Sequence, residues 1–216
     1  MIKRFVFALL SCALVTSVAH AGGHCAAGKT LMDGKLTIAT GNPAYYPWVM
    51  DDAPESGKGF EAAVAYAMAS EMGFPAADVV WVRTSFDEAI QPGAKNFDLN
   101  MQQYSITPER EIVVDFSLPY YSAPMAVLVG KGAVDTAPTM VDLKGLKWGA
   151  VGSTTAVSKL ENVVKPESAI LLYADNADVN AAISANQIDA ALFDLPTALF
   201  LSAVMIEGSK VIGQFS

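Results

Sequence analysis

Apolar residues along the chain fall into short runs and amphipathic stretches, and this pattern predicts alternating strands and helices. Residues 35–41 form a short apolar run that ends at a glycine, as a buried strand would. After a turn-rich loop, residues 60–72 place apolar side chains three or four positions apart, the spacing of one helical face. We expect that face to be formed by Phe60, Val64, Ala67, Met68 and Met72.

Shorter elements follow in the first half of the chain. The pattern predicts strands at 79–82, 97–101 and 113–116, and a helical turn at 85–90 that Ser85 begins. The order strand, helix, strand, helix, strand is typical of an α/β sheet with mostly parallel strands.

The same order restarts after residue 122, so the chain contains two successive α/β units. We predict a first lobe over residues 22–122, a second over 123–213, and the start of a return to the first lobe at 214–216. In the second unit we predict strands at 125–129, 146–151, 170–173, 188–193 and from 211, and helices at 140–143, from 156, at 177–185 and at 195–204.

Polar segments stand where strands of both units end. They lie at 105–110 in the first unit, and at 152–155 and Asp194 in the second. Ligands of open α/β sheets bind beyond the carboxyl ends of the strands. These segments therefore predict a binding cleft between the two lobes.

The segment at 105–110 combines a helix start with an arginine. Thr107 is a good N-cap, and Pro108 suits the first helical position, where a missing N–H costs nothing. Arg110 would project from the first turn, beside free amides and the positive end of the helix dipole. This arrangement predicts a receptor for a small carboxylate. The alternative is a capped surface helix with a solvated arginine.

The N-terminus has the features of a cleaved secretory signal. Two basic residues precede an apolar run at 5–18 that is too short for a membrane span, and a small-x-small site follows at 19–21. We therefore predict a signal peptide at 1–21 and a mature protein in the periplasm. Lipid anchoring at Cys12 or Cys25 is the alternative.

Charge and residue types exclude several classes of function. Without the signal the formal net charge goes from −8 to −10, which argues against nucleic acid and anionic membrane as partners. His20 leaves with the signal and His24 lies at the mature N-terminus, so no Ser/His/Asp or Cys/His set is available. No cluster has metal-ligand spacing. We predict no enzyme, catalytic residue, metal or cofactor, although Asp194 or Glu61 could act as acid or base.

Several motifs together resemble the periplasmic solute-binding proteins of amino-acid ABC transporters. They follow the family's order and cover about residues 35–213. The resemblance implies an α/β, two-lobed fold that closes around a free amino acid and delivers it to a membrane permease, as a monomer. The motifs are Tyr-Tyr-Pro-Trp at 45–48, Gly-Phe-Glu at 59–61, Ser-Ile-Thr-Pro-Glu-Arg at 105–110, Val-Asp-Phe-Ser-Leu-Pro-Tyr-Tyr at 114–121, Gly-Ser-Thr at 152–154 and Ile-Asp-Ala-Ala-Leu-Phe-Asp at 188–194.

The resemblance implies a carboxylate site made by both lobes. Arg110 matches the residue that clamps the ligand carboxylate in a bidentate pair. Ser105 and Thr107 would assist through backbone and hydroxyl groups. Thr154, with Ser153 beside it, would bind the same carboxylate from the second lobe, at another helix N-terminus.

It also implies a site for the rest of the ligand. Asp194 matches the acceptor of the α-ammonium, and its alternative role is a helix cap before Leu195. Tyr45 and Phe86 match the aromatic positions that flank the ligand side chain, and their alternative role is ordinary core packing. Glu61 matches a helix-start acid that is structural rather than ligand-facing.

This sequence departs from the family pattern at two places near the site. Gln102, Gln103 and Tyr104 stand before Ser105, where the family usually has small residues, and Gln103 could reach the ligand. Asn42 stands where some binders of cationic amino acids carry an acid, which weakens the case for a lysine- or arginine-like ligand. The ligand stays open between a polar or aromatic amino acid and a related organic acid.

Family members continue past the strand at 211–213 and cross back into the first lobe. The resemblance therefore implies a C-terminal truncation, with a missing tail that completes the first lobe and could hold a partner for Cys25. A periplasmic enzyme on the same scaffold, such as a cyclohexadienyl-type dehydratase, is one alternative function. The ligand-sensing domain of a receptor is another.

Overall fold

This computed structural model describes residues 26–134 and 138–215. These residues contain two β-sheets. The predicted signal peptide at 1–21 and both cysteines lie outside the described residues. No helix among the described residues is long and apolar enough to cross a membrane. The α/β fold class predicted from the sequence is confirmed. The first sheet has three strands and the second has five.

The first sheet has the order β2-β1-β3, and all of its strands are parallel. Its central strand β1 is buried along its whole length, as its apolar pattern predicts. The elements are β1 (Leu36–Gly41), α1 (Phe60–Glu71), β2 (Val79–Thr84), α2 (Phe86–Ile90), β3 (Leu99–Asn100) and the single turn α3 (Pro108–Glu111).

The core face of α1 includes part of the predicted face, but its centre lies about one position away. Its buried residues are Glu61, Ala62, Ala65 and Ala69, whereas Phe60 is 38% exposed. A row of alanines lets the helix approach β1 closely, and the larger side chains are displaced to the margin of the contact. There Val64, Met68 and Met72 are partly buried against the core, and Ala67 is exposed.

The predicted strand at 113–116 is also wrong. The amides of Val113 and Val114 donate to the carbonyl of Arg110, which continues the turn of α3 instead of starting a sheet ladder. Val113 is 42% exposed, so the apolar run does not face a core. The short apolar pattern alone could not distinguish these two structures.

The second sheet has the order β6-β5-β7-β4-β8. β5 is parallel to both neighbours, whereas β4 is antiparallel to β7 and β8, so the sheet is mixed. Its elements are β4 (Met125–Val129), α4 (Met140–Lys144), β5 (Trp148–Val151), α5 (Thr155–Lys159), β6 (Leu171–Tyr173), α6 (Asn176–Ser184), β7 (Ala190–Asp194), α7 (Leu195–Phe200) and β8 (Lys210–Phe215).

Both faces of this second sheet are covered. Along β4, Ala126 and Leu128 point into one core cluster, and Val127 and Val129 point into the other. A central strand buried on both faces has a continuous apolar run in its sequence, which is why these strands were predictable. The π-helical turns Leu160–Val164 and Leu201–Met205 extend α5 and α7.

The last strand reaches further than the predicted boundary at residue 213. Gln214 and Phe215 stay in the second sheet, opposite Ala126 and Met125. The sequence assigned these two residues to a return toward the first lobe. Pairing with β4 instead satisfies their backbone hydrogen bonds within the second sheet.

Candidate functional site

A cavity of about 290 Å³ lies between the two sheets. Loops that follow β1, β5, β6 and β7 contribute to its walls, so the carboxyl ends of parallel strands from both sheets meet there. Seven of the nine predicted site residues line it: Tyr45, Phe86, Gln103, Ser105, Arg110, Thr154 and Asp194.

The other two predicted residues, Thr107 and Ser153, do not line this cavity. They line a separate, open groove of about 820 Å³, which Arg110 and Thr154 also reach. The Thr107 hydroxyl accepts from the amide of Arg110 at 3.4 Å, so it caps α3 as predicted. The Ser153 hydroxyl donates to the carboxylate of Asp87. A ligand role for Thr107 or Ser153 stays a prediction.

Arg110 bridges the two sides of the cleft through its guanidinium. Nη1 donates to the carbonyl of Ser105 at 2.9 Å, and Nη2 donates to the carbonyl of Ser153 at 2.9 Å. These contacts leave three of the five guanidinium N–H groups for a ligand. Because α3 has four residues, its dipole adds little, and the guanidinium provides the main positive charge.

Two aromatic rings hold the guanidinium in place. Its carbon lies 5.5 Å from the ring centroid of Phe86 and 5.3 Å from that of Tyr104, within cation–π range. The two rings stack with centroids 4.1 Å apart, and the Tyr104 hydroxyl donates to the Phe86 carbonyl. Burial lowers the pKa of Arg110, and the nearby Tyr104 and Glu109 oppose that shift. The sequence identified Tyr104 only as a departure from the family pattern.

Asp194 ends β7 and begins α7. Its Oδ1 accepts from the amide of Thr197 at 2.9 Å, so the helix-cap role is confirmed. Burial raises the pKa of Asp194, and hydrogen bonds from Thr197 and Trp48 oppose the shift. The carboxylate of Asp194 is therefore both a structural cap and part of the cavity wall.

Tyr45 reaches across the cleft to α6. Its hydroxyl accepts from the amide of Ala177 at 3.3 Å. Burial, assisted by the charge of Asp175, raises the pKa of Tyr45 to about 12. Asp175 also lines the cavity, and it is not among the site residues predicted from the sequence. Its position two residues after the end of β6 is the signal that could have identified it.

Glu61 is buried beside the cavity rather than in its wall, with a relative exposure of 1%. Its carboxylate accepts from the backbone amide of Gln103 at 2.8 Å, from the Gln103 side chain and from the Tyr120 hydroxyl. Burial raises the pKa of Glu61, these hydrogen bonds oppose the shift, and Asp194 adds to it. Glu61 thus positions Gln103, which has a left-handed backbone with φ of 53°.

Further contacts join the two sides outside the cavity wall. The indole Nε1 of Trp48 donates to the Thr197 hydroxyl at 2.9 Å in a buried position. The rings of Tyr46 and Phe200 stack with centroids 4.7 Å apart. These contacts hold the second unit against the aromatic loop that follows β1.

The comparison of sequences identifies the family. A profile of the bacterial extracellular solute-binding proteins, family 3, matches residues 36–195. The chain belongs to this family. The resemblance predicted from the motifs is therefore confirmed for a solute-binding protein of the polar amino-acid type.

Individual relatives of this solute-binding protein bind different amino acids, according to their names. It is 29% identical over 154 residues to the L-arginine-binding protein of Pseudomonas aeruginosa, which covers 70% of this chain and 58% of that protein. It is 32% identical over 169 residues to a probable histidine-binding protein of Campylobacter jejuni, which covers 76% of this chain and 62% of the relative. The chain thus spans less than two thirds of either relative.

Solved structures support the two-lobed fold. An ancestral arginine-binding protein bound to arginine has a TM-score of 0.70 at 28% identity, covering 85% of this chain and 80% of its own. An ancestral amino acid-binding protein, described as a precursor of cyclohexadienyl dehydratase, has a TM-score of 0.68 at 29% identity. That match covers 84% of this chain and 78% of the other.

Proposed function

We propose that this chain is the periplasmic substrate-binding component of an ABC importer. It binds a free amino acid, or a closely related small carboxylate, and delivers it to the membrane permease as a monomer. Family membership supports this role in general. The observation that carries it is that Arg110 and Asp194 line one cavity from opposite sides of the cleft.

The charges of the site match those of an α-amino acid. The ligand carboxylate pairs with the free N–H groups of Arg110, and the hydroxyl of Thr155 supplies a further donor from the second sheet. The Thr154 hydroxyl already donates to the Val151 carbonyl at 2.8 Å. The ligand ammonium pairs with Asp194. Charge-assisted hydrogen bonds of this kind contribute roughly 1.5–3 kcal/mol each.

Binding is coupled to closure of the cleft. The carboxylate contacts a residue of the first unit, Arg110, while the ammonium contacts a residue of the second, Asp194. A ligand that contacts both sides stabilises the closed arrangement more than an open one. The hydroxyls of Ser105 and Thr155, 3.5 Å apart across the cleft, would be kept together by such a ligand.

An enzyme on the same fold is the second candidate. One similar structure is described as a precursor of cyclohexadienyl dehydratase. Burial raises the pKa of Asp194 in the cavity wall and of Glu61 beside it, so either carboxyl could hold a proton for acid catalysis. An ammonium-binding role for Asp194 needs no further group and is the simpler account.

A thermal-shift screen of the chain against the twenty amino acids and a panel of small carboxylates tests the proposal. A ligand at about 100 times its Kd should stabilise the folded state by about 2.7 kcal/mol. We expect stabilisation by one class of amino acid, abolished in Arg110→Ala. A shift with a cyclic carboxylate that is then consumed would favour the enzyme, and no shift with any compound would contradict binding.

A further inference from the structure

The cavity wall contains more acidic than basic side chains. Arg110 is the one cation among the described lining residues, whereas Asp175 and Asp194 are both acids. A zwitterionic α-amino acid pairs its carboxylate with Arg110 and its ammonium with Asp194. Asp175 is then left facing the cavity without a partner in the backbone part of the ligand.

No basic side chain within the described part of the chain forms an ion pair with Asp175. The ion pairs formed within residues 26–134 and 138–215 are Lys35 with Asp78 and Arg83 with Asp52. Asp175 is half-buried, and its Oδ1 accepts from the amide of Asp178 at 3.0 Å. A carboxylate has two oxygens with about four acceptor sites, so Asp175 keeps acceptor capacity for a ligand.

The sheet places Asp175 at a distance from Asp194. Asp175 follows β6 and Asp194 ends β7, and β5 lies between these strands. Neighbouring strands are about 4.8 Å apart, so the two acids stand roughly 10 Å apart along the sheet edge. A ligand whose ammonium is at Asp194 would reach Asp175 only with the far end of its side chain.

Tyr45 closes this end of the cavity from the first sheet. Its hydroxyl is anchored by the amide of Ala177, next to Asp175. The acid is thus enclosed by the cleft, where its attraction for a cation is stronger than in open water. Asn42, whose neutral side chain counts against a cationic ligand, lines the same cavity, and Asp175 supplies a negative charge on another wall.

We propose that Asp175 is a specificity-determining residue that selects an α-amino acid with a cationic group at the end of its side chain. This inference rests on the proposed function, since it assumes that Arg110 and Asp194 hold the backbone part of the ligand. It assigns the second acid of the cavity to the distal cation of the ligand.

Titration calorimetry with L-arginine, L-lysine, L-citrulline and L-glutamine tests the proposal on the full chain. Citrulline has nearly the shape of arginine without its charge. We expect arginine or lysine to bind at least about tenfold more tightly than citrulline, which corresponds to about 1.4 kcal/mol. Asp175→Asn should remove most of that preference while citrulline binding changes less than about twofold, because Asn is as good an N-cap as Asp.

Asp178→Asn is the matched control. Asp178 lies in the first turn of the same helix and carries the same charge, but it is exposed and outside the cavity wall. Its loss should leave the ratio of arginine to citrulline affinity unchanged. Equal effects of the two variants would overturn the role of Asp175, because they would reflect only long-range charge.

The outcomes separate this inference from the proposed function. If citrulline or glutamine binds wild type as tightly as arginine, and Arg110→Ala abolishes binding, the proposed function stands and the role of Asp175 is refuted. If only a small carboxylate without a cationic group binds, the proposed function stands and the role of Asp175 is refuted. If neither an amino acid nor a small carboxylate binds, both are refuted.

Discussion

The two sides of the cleft hold their site residues by different means. On the second side, Asp194 is the last residue of β7 and Asp175 comes two residues after the end of β6, in a five-stranded sheet with cores on both faces, and each caps a helix. On the first side, Arg110 lies on a single helical turn and Gln103 on a loop, next to a sheet of three strands.

This difference determines what keeps each group in place. Backbone geometry at a strand end fixes the acids of the second side, and their carboxylates also accept helix amides. The first side depends on side-chain partners, since the rings of Phe86 and Tyr104 hold Arg110 and the buried carboxylate of Glu61 holds Gln103. Ligand affinity should therefore respond to residues outside the cavity on the first side.

The largest effect is expected at Arg110. Arg110→Ala removes a charge-assisted pair worth roughly 1.5–3 kcal/mol per contact, so calorimetry should show at least a tenfold weaker Kd for the amino acid. Arg110→Lys keeps the charge but loses the planar fork, and it should recover only part of the affinity. Normal binding by Arg110→Ala would show that the carboxylate binds elsewhere.

Substitutions at Asp194 can separate its two roles, the N-cap of α7 and the negative charge in the cavity. Asp194→Asn retains an N-cap for α7 but loses the negative charge, so we expect about tenfold weaker binding at nearly unchanged thermal stability. Asp194→Ala should also lose about 1 kcal/mol of stability, because the Thr197 amide then has no cap. If Asp194→Asn and wild type bound the ligand with equal affinity, the ligand ammonium would not be bound by Asp194.

Substitutions at Tyr104 test whether the site residues of the first side depend on neighbouring side chains for their position. It is not part of the cavity wall, so Tyr104→Leu can weaken binding only through the residues it holds there, Arg110 and Phe86. A cation–π contact contributes about 0.5–2 kcal/mol, and we expect a several-fold weaker Kd that Tyr104→Phe largely restores. Tyr66→Leu, which removes a ring stacked edge-on with Trp81, is the control and should bind normally. An identical Kd for Tyr104→Leu would show that the aromatic rings do not position the guanidinium.

Glu61 should affect stability more than binding. Because burial raises its folded-state pKa above the ordinary value of 4.5, the folded state holds the proton more tightly. That contribution is complete at pH below 4.5 and is lost as the pH rises through the folded-state pKa. Urea denaturation should therefore show wild type losing stability relative to Glu61→Gln as the pH rises toward neutral. A constant difference between the two proteins would contradict the raised pKa.

The second sheet was largely predictable, and the physical reason is its burial. Strands with both faces covered have continuous apolar runs, and the helix starts after them carry N-cap residues such as Asp194. The first side was predicted less well. Alanines, rather than the larger residues of the same helix, form the contact of α1, and an exposed apolar run at 113–116 resembled a strand.

The candidate site likewise contains some residues that local sequence patterns predict and others that they do not. Arg110 and Asp194 follow from local signals, because a capped helix start or a strand end precedes each of them. The contact of Tyr104 with Phe86 joins residues 18 positions apart, and the contact of Tyr45 with α6 joins residues 132 positions apart. Local patterns contain no information about such pairings.

The most direct test is a crystal structure of the chain with the amino acid that gives the largest thermal shift. The account predicts carboxylate oxygens within hydrogen-bond distance of the Arg110 guanidinium and an ammonium against Asp194, inside the cavity between the two sheets. A ligand held in the open groove beside Lys159, or one whose carboxylate points away from Arg110, would contradict it.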